Sequence, residues 1–328
     1  MRTLYFGDNE YKFPDSWYDL TPDQYPALVA ALLDYTEGII TAENARAIWF
    51  CAIADIDPSI VMHPTRSQLI SENIYRASRE FTFFFKLEYS KSIDHLSREV
   101  KKLLYRFPPS DLMQTPEIRW ASTLKYKYIP DISFATQLVP ELRIKNEIFN
   151  GYQLTLKGNI LDTNLKAQQY IDANIIIDEY YTSSNYELLN DLLAILYFPG
   201  PYDPEKRQLL ASKFEVVNTV AKHAVLLNFQ AFTQFLARKT KYGIMWHRTK
   251  KEKTPEVSVG FGDTLYSLAK LGYGTVDELS HINLMTFLDL SLKNIIDSVS
   301  YLHENDVSII EISDKTGLPV SSIQKLIA

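Results

Sequence analysis

The residues able to do chemistry are thinly spread along this chain. Its six histidines, His63, His95, His223, His247, His281 and His303, include no pair at the i, i+4 spacing that sets two metal ligands on one helix face. The one cysteine, Cys51, sits in the apolar run IWFCAIA with no histidine within ten residues to act as its base, so it reads as a small buried hydrophobe. A lone thiol closes no intrachain disulfide and asks for no oxidising compartment. Carboxylates are plentiful but not in the order of a calcium loop. Gly260-Phe261-Gly262-Asp263-Thr264 lacks the lysine and spacing of a phosphate loop and reads as a turn before a helix that Asp263 or Thr264 would cap. No Gly-x-Ser-x-Gly is present. No catalytic residue, metal or cofactor is implied, and the chain is expected not to be an enzyme; a site assembled from distant residues stays open.

One stretch carries a binding chemistry. Arg238, Lys239, Lys241, Arg248, Lys250, Lys251 and Lys253 are interleaved with Tyr242, Trp246 and His247. Cations among aromatic rings suit single-stranded nucleic acid or an acidic protein partner. The same charges also suit a solvated helix end, because Lys and Arg complement the dipole at a helix C-terminus.

The chain ends in ISDKTGLPVSSIQKLIA, which has the outline of a helix-turn-helix. Ile312, Leu318, Val320, Ile323 and Leu326 form the expected inner faces, Gly317 the turn, and Ser313 the small residue where the two helices cross. Charge argues against DNA. From Thr254 to Ala328 there are ten acids and four bases, so the whole net charge of −6 falls in this segment. Affinity for DNA comes largely from neutralising phosphates, and the second helix offers only Lys325. The unit is read as two helices packing on protein, with nucleic-acid binding through it or through the basic run as the alternative.

The elements that hold these residues are mostly helical. A hydrophobic fraction of 46% and a charged fraction of 23% are those of a globular protein. Apolar runs reach about seven residues, far below the ~20 of a membrane helix, and MRTLYFGDNEYKF has no signal-peptide core. A soluble, cytoplasmic protein is expected. TLYFGDNEYKF predicts a hairpin turning at Gly7-Asp8-Asn9, and ELRIKNEIFNGYQLTLKG a second one turning at Asn150-Gly151. Thr21, Pro22 and Gln24 predict a capped helix to Tyr35, followed by a helix over Ala42 to Ala54. FTFFFKLEY predicts a strand, and SIDHLSREVKKLLYRF a helix with Ile93, Leu96, Val100, Leu103 and Leu104 on one face. A helix capped near Thr163, a helix through NYELLNDLLAILYF and a long apolar helix before Lys239 complete this middle part. Thr275 and Glu278 form another capping box.

The fold class is therefore mainly α, with small β-hairpins heading two similarly laid-out hairpin-helix halves. Three units are expected: 1–118, 119–250, and an acidic helical domain 251–328 after a linker near Lys250 to Glu256.

YKFPDSWYDLTPDQY resembles the opening of accessory proteins of tailed phages and prophages of Bacteroidetes. LDTNLKAQQYIDAN with LLNDLLAILYFPG is similar to their internal segment, and FGDTLYSLAKLGYGTVDELSHINLMTFLDLSL to the C-terminal helical part of tail-module proteins. The resemblance spans about half the chain, at the level of motifs. It implies a non-enzymatic structural or assembly role, foremost that of a tail assembly chaperone whose partner is a tape-measure or tail-tube protein. Such a protein needs grooves that accept apolar helical stripes, and the helices around Phe214 to Phe235 and the C-terminal pairs are the expected surfaces.

Overall fold

The computed structural model describes residues 1–6, 9–62, 68–246 and 262–327. Fifteen α-helices and four two-stranded antiparallel sheets are formed by these residues, so the chain is mainly α. None of these helices is long and apolar enough to cross a membrane. The chain divides into two compact units, Met1–Ile132 and Ser133–Ala328, in place of the three expected.

In the first unit, β1 (Arg2–Phe6) pairs with β2 (Asn9–Phe13) in the hairpin that the alternating pattern predicts; Gly7 and Asp8 of its turn lie outside the described residues. Helix α1 (Tyr25–Thr36) starts later than Thr21 predicts. The Thr21 amide donates to the Gln24 side chain (3.1 Å), but the Thr21 hydroxyl caps nothing, so half of the box forms around a tight turn. Helix α2 (Ala42–Ala54) has the predicted bounds, with Thr41 accepting from the Asn44 amide at 3.2 Å. Then come α3 (Ser59–Met62) and α4 (Gln68–Ser78). Only part of FTFFFKLEY is strand: β3 (Phe85–Tyr89) starts where Phe81 and Phe84 have already turned into the core. The helix expected from Ile93 shortens to α5 (Arg98–Leu104), because Ser97 caps it there; Leu103 is exposed, against expectation. The segment after it forms α6 (Pro116–Ala121) and β4 (Tyr126–Pro130), the latter paired with β3.

Aromatic rings fill this unit's core. Phe13 stacks on Phe50 with centroids 4.7 Å apart, and Trp49 meets Phe81 and Phe84 edge-on at 5.4 and 5.3 Å. Cys51 is fully buried beside them. Burial pushes its thiol up to about 11, so it is no nucleophile at neutral pH.

The second unit opens with two hairpins where one was expected: β5 (Glu141–Ile144) with β6 (Glu147–Asn150), and β7 (Leu154–Lys157) with β8 (Ile160–Thr163). The turns fall at Lys145-Asn146 and Gly158-Asn159, with Lys145 and Gly158 at φ 54° and 59°. Asn150-Gly151 is not a turn. Gly151 is there for close approach: a Cβ on it would lie 2.9 Å from the Tyr197 ring. Helix α7 (Ala167–Ser183) begins four residues after Thr163, which instead ends β8. It packs antiparallel to α8 (Leu188–Leu196), and α9 (Arg207–Ala211) follows. Helix α10 (Thr219–Lys239) is capped by Asn218, whose side chain accepts from the Ala221 amide at 2.9 Å.

The C-terminal segment contributes α11 (Gly262–Lys270), α12 (Val276–His281), α13 (Leu284–Glu304), α14 (Ile309–Thr316) and α15 (Val320–Ile327). It is not a domain of its own. Leu268, Leu279, Phe287 and Leu288 share one core with Tyr170, Leu193, Phe229 and Phe232. Asp263 stands inside the first turn of α11, so neither it nor Thr264 is the cap; the expected linker lies outside the described residues. The box at α12 forms in full, with Glu278 N–H to Thr275 Oγ1 at 3.2 Å and Thr275 N–H to Glu278 Oε2 at 2.8 Å.

Candidate functional site

The described half of the basic run folds back on itself, for local reasons. At the end of α10 the Thr240 hydroxyl donates to the Leu236 carbonyl (2.6 Å) and accepts from the Tyr242 amide (3.2 Å). This starts a short 3-10 helix, Lys241–Met245. Gly243 permits the reversal, since a Cβ there would stand 2.5 Å from the Ala237 carbonyl oxygen. Asp289 of α13 then fastens the turn: it accepts from the Tyr242 hydroxyl (2.8 Å) and pairs with Lys241 (2.6 Å). Burial, then Asp289, raises the Tyr242 phenol above its ordinary range, so it stays a donor.

Beside this turn lies a cleft of about 640 Å³. One wall is the β7–β8 hairpin, through Leu156, Ile160 and Leu161. The other is the end of α10, through Phe235, Lys239 and Lys241, with Met285 of α13 at its floor. Ile160 is 73% exposed and Leu156 38%. The cleft therefore offers an apolar strip flanked by the Lys239 ammonium and by Lys241, which Asp289 already holds. It suits a segment with an apolar face and acidic flanks, such as an amphipathic helix.

Sequence reasoning placed its site residues unevenly. Lys239 and Lys241 line the cleft, and Arg238 is exposed on the last turn of α10. Trp246 is not a stacking platform; its ring packs, half-buried, against the core. Arg248, Lys250, Lys251 and Lys253 lie outside the described residues. The surface expected around Phe214 to Phe235 is not offered to a partner either: Phe214, Phe229 and Phe232 are fully buried, and only Phe235 reaches the cleft. Leu156, Ile160 and Met285 were not singled out. The Gly158-Asn159 turn between alternating leucines and isoleucines was the signal that could have found the hairpin.

The terminal unit has the geometry its sequence predicts. Gly317 is left-handed at φ 71°, and the Ser313 hydroxyl donates to the Leu318 carbonyl at 2.6 Å across the turn. Ile312, Leu318 and Ile323 bury themselves against Val299 of α13, with Leu326 half-buried. Val320 departs from expectation and is 40% exposed at the start of α15. Ser321, Gln324 and Lys325 are exposed on α15, with Glu311 and Asp314 exposed on α14.

Elsewhere in this unit two buried polar groups are tied into structure, whereas the buried Tyr152 hydroxyl and Asn190 Oδ1 make no hydrogen bond among the described residues. His223 is buried, with Nδ1 2.8 Å from the Thr219 carbonyl and Nε2 3.2 Å from the Tyr180 hydroxyl. The carbonyl fixes a proton on Nδ1. Asp172 accepts from Tyr202 (2.6 Å) and Gln168 (2.7 Å). Three or more His, Cys, Asp or Glu side chains do not converge as metal ligands among the described residues.

No protein-family model matches this chain, and neither a curated protein nor a solved structure matches it.

Proposed function

We propose that this chain binds a helical segment of another structural protein, in the manner of a phage tail assembly chaperone. The observation that carries the reading is the cleft at the end of α10, where the exposed Ile160 and Leu156 face Lys239 and Lys241 across about 640 Å³. An incoming helix would lay its apolar stripe on the hairpin and its carboxylates on the lysines. The partner class, a tape-measure or tail-tube protein, rests on the resemblance of YKFPDSWYDLTPDQY and the two later segments. The role needs binding and release, with no bond made or broken.

The test is co-expression with the tape-measure-type protein of the same genome, followed by co-purification of wild type, Ile160→Asp and Lys239→Glu/Lys241→Glu. Wild type is expected to retain the partner, and both variants to lose it. A complex that survives Ile160→Asp would place the contact elsewhere. A genome without virion genes would remove the phage assignment while leaving the cleft open to test with acidic amphipathic peptides.

A further inference from the structure

The first unit carries a binding surface of a different kind. Arg98, Lys102 and Arg106 stand four residues apart along α5 and the turn that closes it, all three exposed. This spacing puts three like charges on one stripe, where they repel. Among the described residues none of the three makes an ion pair, and neither does Lys86 on β3, although Glu88 lies within its electrostatic reach and Glu99 shares α5 with the stripe. Lys102, Arg106 and Lys86 converge on a cleft of about 400 Å³.

The rest of that cleft is aromatic. Trp17 and Phe85 are buried in its base, and Phe83 meets Trp17 edge-on at 5.4 Å. Tyr18 stands at its edge, 51% exposed; its ring touches no other ring and its hydroxyl makes no hydrogen bond among the described residues. Lys86 lies 4.4 Å from the centroid of the Tyr105 ring, and this pair forms a ridge. Beyond it a second cleft of about 260 Å³ continues the surface and adds Lys91. Each cleft is also lined by two acids, Asp15 and Asp131 in the first and Glu88 and Asp94 in the second. Glu88 is held by Lys127 at 2.8 Å, Asp94 accepts from the Ser92 hydroxyl at 2.8 Å, and Asp15 and Asp131 have partners of their own.

We propose that this double cleft binds single-stranded nucleic acid, its phosphates running along Lys102, Arg106 and Lys86 and a base stacking on Tyr18. A stripe of unpaired cations tracks a phosphate backbone, and a free ring beside it accepts any base. Duplex DNA fits less well, because stacked bases cannot reach a ring set in a cleft. The surface is independent of the α10 cleft and of the helical segment proposed for it.

The experiment is fluorescence anisotropy of the full chain with a labelled 20-mer of single-stranded oligodeoxythymidine, a 20-base-pair duplex and inorganic polyphosphate as competitor, at 50 and 200 mM salt. Wild type is expected to prefer the single strand. Lys102→Gln/Arg106→Gln should weaken it by about tenfold at the lower salt and flatten the salt dependence by about 1.4 log units per log unit. Tyr18→Ala should weaken it by about five- to tenfold while leaving the salt dependence unchanged. All three residues are exposed, and thermal melting checks that each variant is folded. Unchanged binding in the double variant would overturn the proposal, as would polyphosphate competing as well as the oligonucleotide. Loss of binding in Lys239→Gln/Lys241→Gln instead would assign it to the other unit and equally overturn it.

Discussion

Asn228 is the residue on which the start of the second unit hangs. It is 1% exposed on α10; its Oδ1 accepts from the Leu138 amide at 2.7 Å and its Nδ2 donates to the Thr136 carbonyl at 2.8 Å. One side chain thus satisfies both directions of an extended backbone with no strand beside it. Asn228→Ala strands a donor and an acceptor, and should cost about 2–4 kcal/mol in urea unfolding. Cys51 makes a second prediction. Below the ordinary thiol range it is protonated in both states; as pH rises toward about 11 the unfolded chain ionises first, so its contribution to stability declines over that window. At pH 8 a disulfide reagent should label it only at the rate of unfolding, and immediately in denaturant. The burial of Cys51 was legible because its neighbours are apolar on both sides. That of Asn228 was not, since its partners lie about ninety residues away.

At the scale of elements, what could be read were features whose cause is local. The bounds of α2, the α12 box and the left-handed Gly317 each depend on residues within four of one another. The failures have distant causes. Asn150-Gly151 has strong turn chemistry, yet Gly151 is placed by Tyr197, whose hydroxyl donates to the Val139 carbonyl at 2.6 Å and draws its ring onto the glycine. Gly151→Ala should therefore cost about 1–3 kcal/mol through a steric clash. Gly317→Ala meets nothing within 4 Å and should cost only about 1 kcal/mol, for its positive φ. Thermal melting of the two separates the mechanisms. Glu278 gives a pH test: the Thr275 amide and hydroxyl hold its carboxyl below the usual range, so the box stabilises α12 above that range and is lost as pH falls through it. Glu278→Ala should reduce amide-exchange protection in α12 at pH 7 and make little difference once the carboxyl is protonated.

The molecule as a whole is two compact units on one chain. The boundary at Ile132–Ser133 had no composition shift to mark it, and the drop into acidic sequence after Thr254 suggested a domain edge where the core is continuous. Charge reports on surfaces; the apolar residues beneath decide which segments fold together. Expressed separately, residues 1–132 and 133–328 should each show a single cooperative melting transition, whereas a fragment ending at 250 should not, because it lacks Leu268, Phe287 and Leu288. The α10 cleft was illegible for a related reason. Leu156, Lys239 and Met285 meet only once the hairpin, α10 and α13 are in place.

Helix α13 serves both ends of the second unit. Its first half, through Leu284, Phe287 and Leu288, belongs to the main core, and Val299 near its other end belongs to the terminal three-helix cluster. At ~1.5 Å per residue its 21 residues make a rod about 32 Å long. The two clusters are thus locked in phase on a common shaft. One residue inserted between Leu292 and Ile295 would swing the terminal pair by about 100° around it, and a seven-residue insertion would bring the pair back to within about 20°. A partner that reads the cleft and the terminal unit together should therefore lose binding with one added residue, through the rotation, and with seven, through a shift of about 10 Å along the axis, whereas a partner that reads only one of them should keep it.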